Sequence, residues 1–425
     1  MVFVGGLSIA VSAPGQTNLI ALFIDPMIET LDISRSTIST LFAVGTFAAS
    51  FGMAIIGFSI DRYGPRAIMI FSVLLFGGFV MLMGAIPASP GWATIIGLGL
   101  GFFALRLLGR GALNMLGTIM VSLWFRRKRG QATSYASGAG WLVGLGLLPL
   151  IATWLIGEYG WQTTWVVLGI GVWVVMLPPA FFLIRRTPES VGLLPDGEKP
   201  VEREGDEPDA PPVPAIPEDN WTVREALRTR SLYFILIASM AWATLGAGMV
   251  FHHTSLLEAR GIPGNVAAWS ISAIAVMNFV GNLIAGRLND RFPNHYTLVI
   301  AQVALMLAML LALVVSSTWQ AFAYAGLLGL TQGMVLNTGN VIWANYFGRK
   351  NLGSIRGTTM WVVGVTSAIG PLPVGILFDL TGGYTVGLWL YIGLLVPMIL
   401  AAALAVKPVR PPTTHEAVSK RAQSV

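Results

Sequence analysis

The sequence predicts an all-α polytopic membrane protein: twelve transmembrane helices in two pseudo-symmetric six-helix bundles. Three observations predict it. The 425 residues are 55% hydrophobic and only 11% charged, whereas a soluble domain carries about 25% charged residues. Apolar runs of about 20 residues, long enough to cross about 30 Å of hydrocarbon, recur along the chain. A charged turn between two such runs, Gly57-Phe58-Ser59-Ile60-Asp61-Arg62-Tyr63-Gly64-Pro65-Arg66, returns 229 positions later as Gly286-Arg287-Leu288-Asn289-Asp290-Arg291-Phe292.

The spans are expected at 2–25, 38–59, 67–87, 92–124, 131–156 and 162–184, then at 231–257, 266–285, 296–316, 319–346, 354–378 and 384–406. This divides the chain into a first bundle (1–186), a connecting segment (187–230), a second bundle (231–407) and a tail (408–425). A membrane β-barrel would show short alternating segments instead. Residues 195–219 hold nine acids, two bases and seven prolines. Such a stretch buries too little apolar surface to offset its ordering entropy and is expected to be a disordered linker. It ends at 220–228 in a short amphipathic helix, with Thr222 as cap and Glu225 completing a capping box.

Orientation follows from Lys and Arg. Of 26 such residues, 22 fall in the linker, the tail and the loops of the linker face, and only Arg35 and Arg260 fall on the other. The positive-inside rule then puts both termini and the linker in the cytoplasm. The +6 net charge is thus topological, and no nucleic-acid partner is expected. There is no Cys and only four His, at positions 252, 253, 295 and 415. Disulfides and thiolate metal sites are excluded, no metal-ligand spacing emerges, and no cofactor is expected. No charged n-region or cleavage site marks a removable signal peptide.

Ionisable side chains inside a membrane are costly and are functional candidates. No carboxylate falls mid-span. Arg106, Arg110 and Asn114 fall at i, i+4 and i+8 of the fourth span and form one stripe. A guanidinium fork suits bidentate carboxylate recognition, so a stripe without a predicted acid favours an anionic ligand. In the seventh span, adjacent His252 and His253 point about 100° apart. His252 continues the small stripe of Thr244 and Gly248 and is expected to face a cavity, as an anion ligand or proton carrier. Further polar candidates are Gln16, Asn278, Gln332 and Asn337. For each of these residues, helix packing is the competing role.

The repeated loop resembles the signature loop of the major facilitator superfamily, and the layout of six spans, linker and six spans is that family's. The resemblance implies a carrier whose halves rock about a central site lined by the first, fourth, seventh and tenth spans. It also implies a gate clamped by Gly57, Asp61, Arg62, Gly64 and Arg66, with Asp290 and Arg291 in the second copy. That copy has Pro293 where Gly64 stands in the first, so a weaker second clamp is expected. Arg106 matches an arginine that often bonds neighbouring helices in the family. A second echo pairs Leu123–Gly130 with 345–350 and Arg356-Gly357. The phrases Arg186–Gly197, Thr222–Leu227, Gly15-Gln16-Thr17 and Phe251-His252 resemble the bacterial monocarboxylate and oxalate/formate carriers.

The expected protein is therefore a monomeric carrier of a small organic anion, a monocarboxylate, in the bacterial inner membrane. It would be coupled to protons or would exchange anions, with the lipid bilayer its other partner. Export of drug-like or hydrophobic compounds and a transport-dead sensor are the rival readings. Enzymatic chemistry is not expected, for the spans hold no acid pair, H-E-x-x-H motif or Cys nucleophile.

Overall fold

The computed structural model describes residues 1–87, 91–197 and 219–409. The central acidic part of the expected linker and nearly all of the tail lie outside them. Among the described residues the chain forms twelve helical rods and no strand.

In the first half α1 comprises Val2–Val11 and Thr17–Leu31, joined by a tight turn at Ala13–Gly15. It is followed by α2 (Arg35–Tyr63), α3 (Pro65–Gly84) and α4 (Trp92–Trp124). One long apolar helix, Arg129–Phe182, breaks at Gly160 (φ 79°, ψ 165°) and so supplies both α5 (129–159) and α6 (161–182). In the second half α7 is Arg230–Phe251, continued by His253–Ala259. The rest are α8 (Gly264–Arg291), α9 (Asn294–Val314), α10 (Thr318–Phe347), α11 (Leu352–Thr381) and α12 (Thr385–Leu404).

Local chemistry fixes the ends. Ser34 accepts a hydrogen bond from the Thr37 N–H and starts α2. Gly64 (φ 87°) makes the turn out of α2, and Pro65 opens α3 with its preset φ. Thr222 and Glu225 form the reciprocal capping box, although the helix it starts is only Val223–Ala226. Each half has its own core. Phe23 of α1 stacks on Trp165 of α6 at 4.0 Å, and Leu245, Tyr324 and Leu328 are buried in the second half. Large apolar side chains such as Ile55, Leu82, Val174 and Leu400 point outward and exposed, as rods facing hydrocarbon must.

Glycines of the fifth span serve packing. A Cβ on Gly140 would lie 2.6 Å from the Gly6 carbonyl of α1, and one on Gly138 would meet the Phe279 ring of α8 at 2.7 Å.

Candidate functional site

Two clamps join the halves on the linker face. The Asp61 carboxylate, at the end of α2, accepts hydrogen bonds from the Gly353 N–H (2.9 Å) and the Ser354 N–H (2.6 Å) at the start of α11. The Asp290 carboxylate, at the end of α8, accepts from the Gly130 N–H (2.6 Å) and the Gln131 N–H (3.0 Å) at the start of α5. In each case a carboxylate meets the partial positive charge of a helix N-terminus in the other half. Glycines permit the approach. A Cβ on Gly57 would sit 2.0 Å from the Gly353 carbonyl oxygen, and one on Gly130 would sit 2.3 Å from that of Gly286.

This symmetry corrects one sequence pairing. Gly130 corresponds to Gly353, not to Gly357, so the Arg-Gly pairs are out of register by one helical turn. Bond partners reveal the register; residue identity hid it.

The second clamp is not the thinner one. Asn337, fully buried, donates to Ser134 Oγ (2.9 Å), Asn282 Oδ1 (3.1 Å) and the Gly130 carbonyl (3.2 Å). Asn289 donates to Asn337 (3.0 Å), Asn294 to Asn289 (3.0 Å) and Asn345 to Asn294 (2.9 Å). Arg129 closes the ring by donating to Asn345. Elsewhere on this face Arg349 pairs with Glu189 at 2.9 Å and donates to the Leu123 carbonyl at 2.7 Å. The backbone and Arg349 outweigh burial and hold the Glu189 carboxyl below its usual range. Of the other predicted gating residues, Arg66 donates to the Phe181 carbonyl within the first half (2.7 Å) and Arg62 lies over its neighbour Tyr63. Arg291 is exposed at the end of α8. These three do not cross between halves in any described hydrogen bond or ion pair.

Beyond the clamps, away from the linker face, a cavity of about 510 Å³ lies between the halves. Its wall brings together Gln16, Arg106, Arg110, Asn114 and Gln332 from the predicted set. It also includes Trp141, Ser239, Trp242, Asn340, Trp343 and Arg356, and no Asp, Glu or His. Three helices run through wider π-type turns beside it, at Leu105–Leu113, Leu142–Leu147 and Ala241–Gly246. Such turns frequently mark functional sites.

Arg106 and Arg110 have different surroundings. Arg106 is 4% exposed. Its guanidinium donates to the Gly15 carbonyl (3.0 Å) and Thr17 Oγ1 (3.2 Å) and rests over Phe42. It pins the α1 turn to α4, where a Cβ on Gly15 would come within 2.3 Å of the Leu105 carbonyl. Arg110 is exposed to the cavity and makes no hydrogen bond or ion pair among the described residues.

His252, Asn278 and Asn337 are not in the cavity wall. His252 Nε2 bonds the Pro371 carbonyl at 3.0 Å, and its ring lies 5.6 Å from that of Tyr384. Thr244, Gly248 and His252 do share a face, but that face turns toward α11 and α12: Gly370 packs on the Thr244 backbone, Gly248 faces the Tyr391 ring, and His252 meets Pro371. Trp242, Ala243 and Ala247 face the cavity instead. Asn278 packs its carbonyl against Gly333. Sequence reasoning missed Arg356, which it counted as a loop cation; its place four residues beyond the start of α11 was the available signal.

The Major Facilitator Superfamily profile matches residues 6–262 and 247–424. GudP of Bacillus subtilis (strain 168), described as a probable galactarate/D-glucarate transporter, is 24% identical over 404 residues, covering 87% of this chain and 84% of its own. YcxA of the same organism, an uncharacterized MFS-type transporter, is 22% identical over 378 residues, 86% of this chain and 85% of its own. Among solved structures, the MFS transporter FucP in the outward conformation superposes with a TM-score of 0.64 at 13% identity, covering 96% of this chain and 98% of that one. Two six-helix halves, clamps between them and a central polar cavity are the parts of a transporter rather than an enzyme, and the chain belongs to the Major Facilitator Superfamily.

Proposed function

We propose that this transporter carries a small organic anion across the bacterial inner membrane by alternating access, as a monomer. The observation that carries the reading is Arg110, a guanidinium facing the cavity without an anionic partner in a wall that holds no carboxylate. A carboxylate supplies that partner bidentately. The description of GudP as a probable galactarate/D-glucarate transporter agrees with an anionic cargo, although short phrases of this chain resemble monocarboxylate carriers.

With the linker face cytoplasmic, as the distribution of Lys and Arg implies, the clamps close the inner side and the conformation faces outward. Exchange of one anion for another gains support over proton symport. The cavity wall has no Asp, Glu or His, and His252 is engaged with a backbone carbonyl outside it.

Counterflow in proteoliposomes tests the reading, with labelled D-glucarate and labelled lactate as probes. Internal unlabelled anion should drive uptake of at least one of them without a proton gradient. Uptake of neither, with export of a hydrophobic dye in its place, would overturn the anionic cargo. A proton gradient that is required for uptake would overturn exchange.

A further inference from the structure

We infer that Arg356 is a further anion-binding group of the cavity and the one that ties its occupancy to the inner gate. The inference rests on the anionic cargo proposed above. Arg356 belongs to α11 in the second half and lines the cavity floor, one turn beyond the Asp61 clamp. It is 3% exposed. One arm of its guanidinium donates to Thr118 Oγ1 of α4, in the first half, at 2.8 Å. The other donates to Asn340 Oδ1 of α10, in its own half, at 2.9 Å. One cation therefore holds the halves together from inside the cavity.

Both acceptors are neutral. A buried guanidinium held only by a hydroxyl and an amide is poised for exchange, because a charge-assisted bond to a carboxylate is about twice as strong as a neutral one. Thr118 continues the α4 stripe of Arg106, Arg110 and Asn114 toward the linker face, about 12 Å along the helix from Arg110. An anion entering along this stripe meets Arg110 first and the Arg356 guanidinium last. When the anion takes that guanidinium, the Thr118 bond breaks, and the first half loses a tie to α11 beside the Asp61 clamp. An empty carrier keeps the tie.

The chain has no native Cys, so spin labels can be placed without background. Lys128→Cys and Phe292→Cys put one label on each half at exposed positions of the linker face. Distances are measured with no anion, with D-glucarate and with lactate. Without anion, Thr118→Val and Arg356→Gln should both shift the population toward longer distances. With a bound anion the wild type should shift the same way, and Arg356→Gln should show no further shift. Arg356→Lys should keep part of the response. A Thr118→Val distribution identical to the wild type overturns the tie. An anion response undiminished in Arg356→Gln overturns the coupling while leaving the anion reading intact. If neither probe binds the wild type in a parallel thermal-shift assay, the anion reading fails for these probes, and the coupling fails with it. If Arg356→Gln does not fold, Thr118→Val decides alone: its anion-dependent lengthening should be reduced at least twofold, and an unchanged amplitude overturns the coupling.

Discussion

Asp61 and Asp290 stand 229 residues apart and do the same thing in mirror sense: each accepts two backbone N–H groups from the first turn of a helix in the opposite half. These two contacts between the halves are thus built from carboxylates and helix ends. Their strength depends on charge at two points and on glycine wherever backbones touch.

Asp61→Asn removes the charge facing the α11 N-terminus and one of its two acceptor oxygens. A charged group near a helix end contributes about 0.3–1 kcal/mol, up to about 2 where partly buried. The outward conformation should lose about tenfold in population, and transport should slow while substrate affinity stays within about threefold. Turnover and affinity measured side by side in proteoliposomes check this, and wild-type turnover would reduce the loop to a topological turn.

Gly57→Ala and Gly130→Ala should keep the inner face from closing. Each new Cβ would fall well inside contact distance of a backbone oxygen, 2.0 Å and 2.3 Å away, and backbone cannot yield as a side-chain tip can. Overpacking of this kind costs about 1–3 kcal/mol. Labelling of a Cys engineered into the linker-face clamp should accelerate in both variants, and unchanged labelling would show that the helices slide past the added methyl.

Asn337→Leu should weaken the gate more than its lost contacts suggest, since Asn289 and Asn282 would each be left with a buried unsatisfied group. The penalty is about 1–3 kcal/mol per group. The spin-labelled pair described above should report a shift toward the inward-open state, whereas Asn278→Leu should leave it near wild type.

Arg110→Gln should abolish anion binding, and Arg110→Lys should restore part of it, because an ammonium keeps the charge and loses the fork. His252→Gln should leave binding unchanged. Calorimetry on the three proteins separates them, and full affinity in Arg110→Gln would remove that residue from the site.

The Glu189–Arg349 pair should make the closed linker face acid-sensitive. The Glu189 carboxyl is held below its usual range, so the closed gate favours its ionised form. That contribution is complete above the ordinary Glu value of about 4.3 and fades as pH falls through the lower value of the closed state. Glu189→Gln should imitate the acid state at neutral pH. A gate population equally sensitive to acid in the Gln variant would assign the effect to another group.

The sequence by itself determined the twelve spans, the duplicated charged loop and the absence of mid-span acids. Those follow from local quantities: run length, charge and the presence of glycine at turns. The Arg106–Arg110–Asn114 stripe was legible because the fourth helix stays continuous through its widened turns. Only the tertiary structure decided that Arg106 serves the α1 turn and Arg110 the cavity, since that depends on what faces each side chain across a helix gap. The tertiary structure also moved His252 and Asn337 out of the cavity wall. Periodicity groups residues on one face of a helix but carries no sign of whether that face meets the cavity or a neighbouring helix: His252 meets Pro371 of α11, and Asn337 meets Ser134 and Asn282. The tertiary structure brought Arg356 in for the complementary reason. A cation one turn past a helix start reads as loop charge until the neighbouring helices close around it and leave Thr118 and Asn340 as its partners.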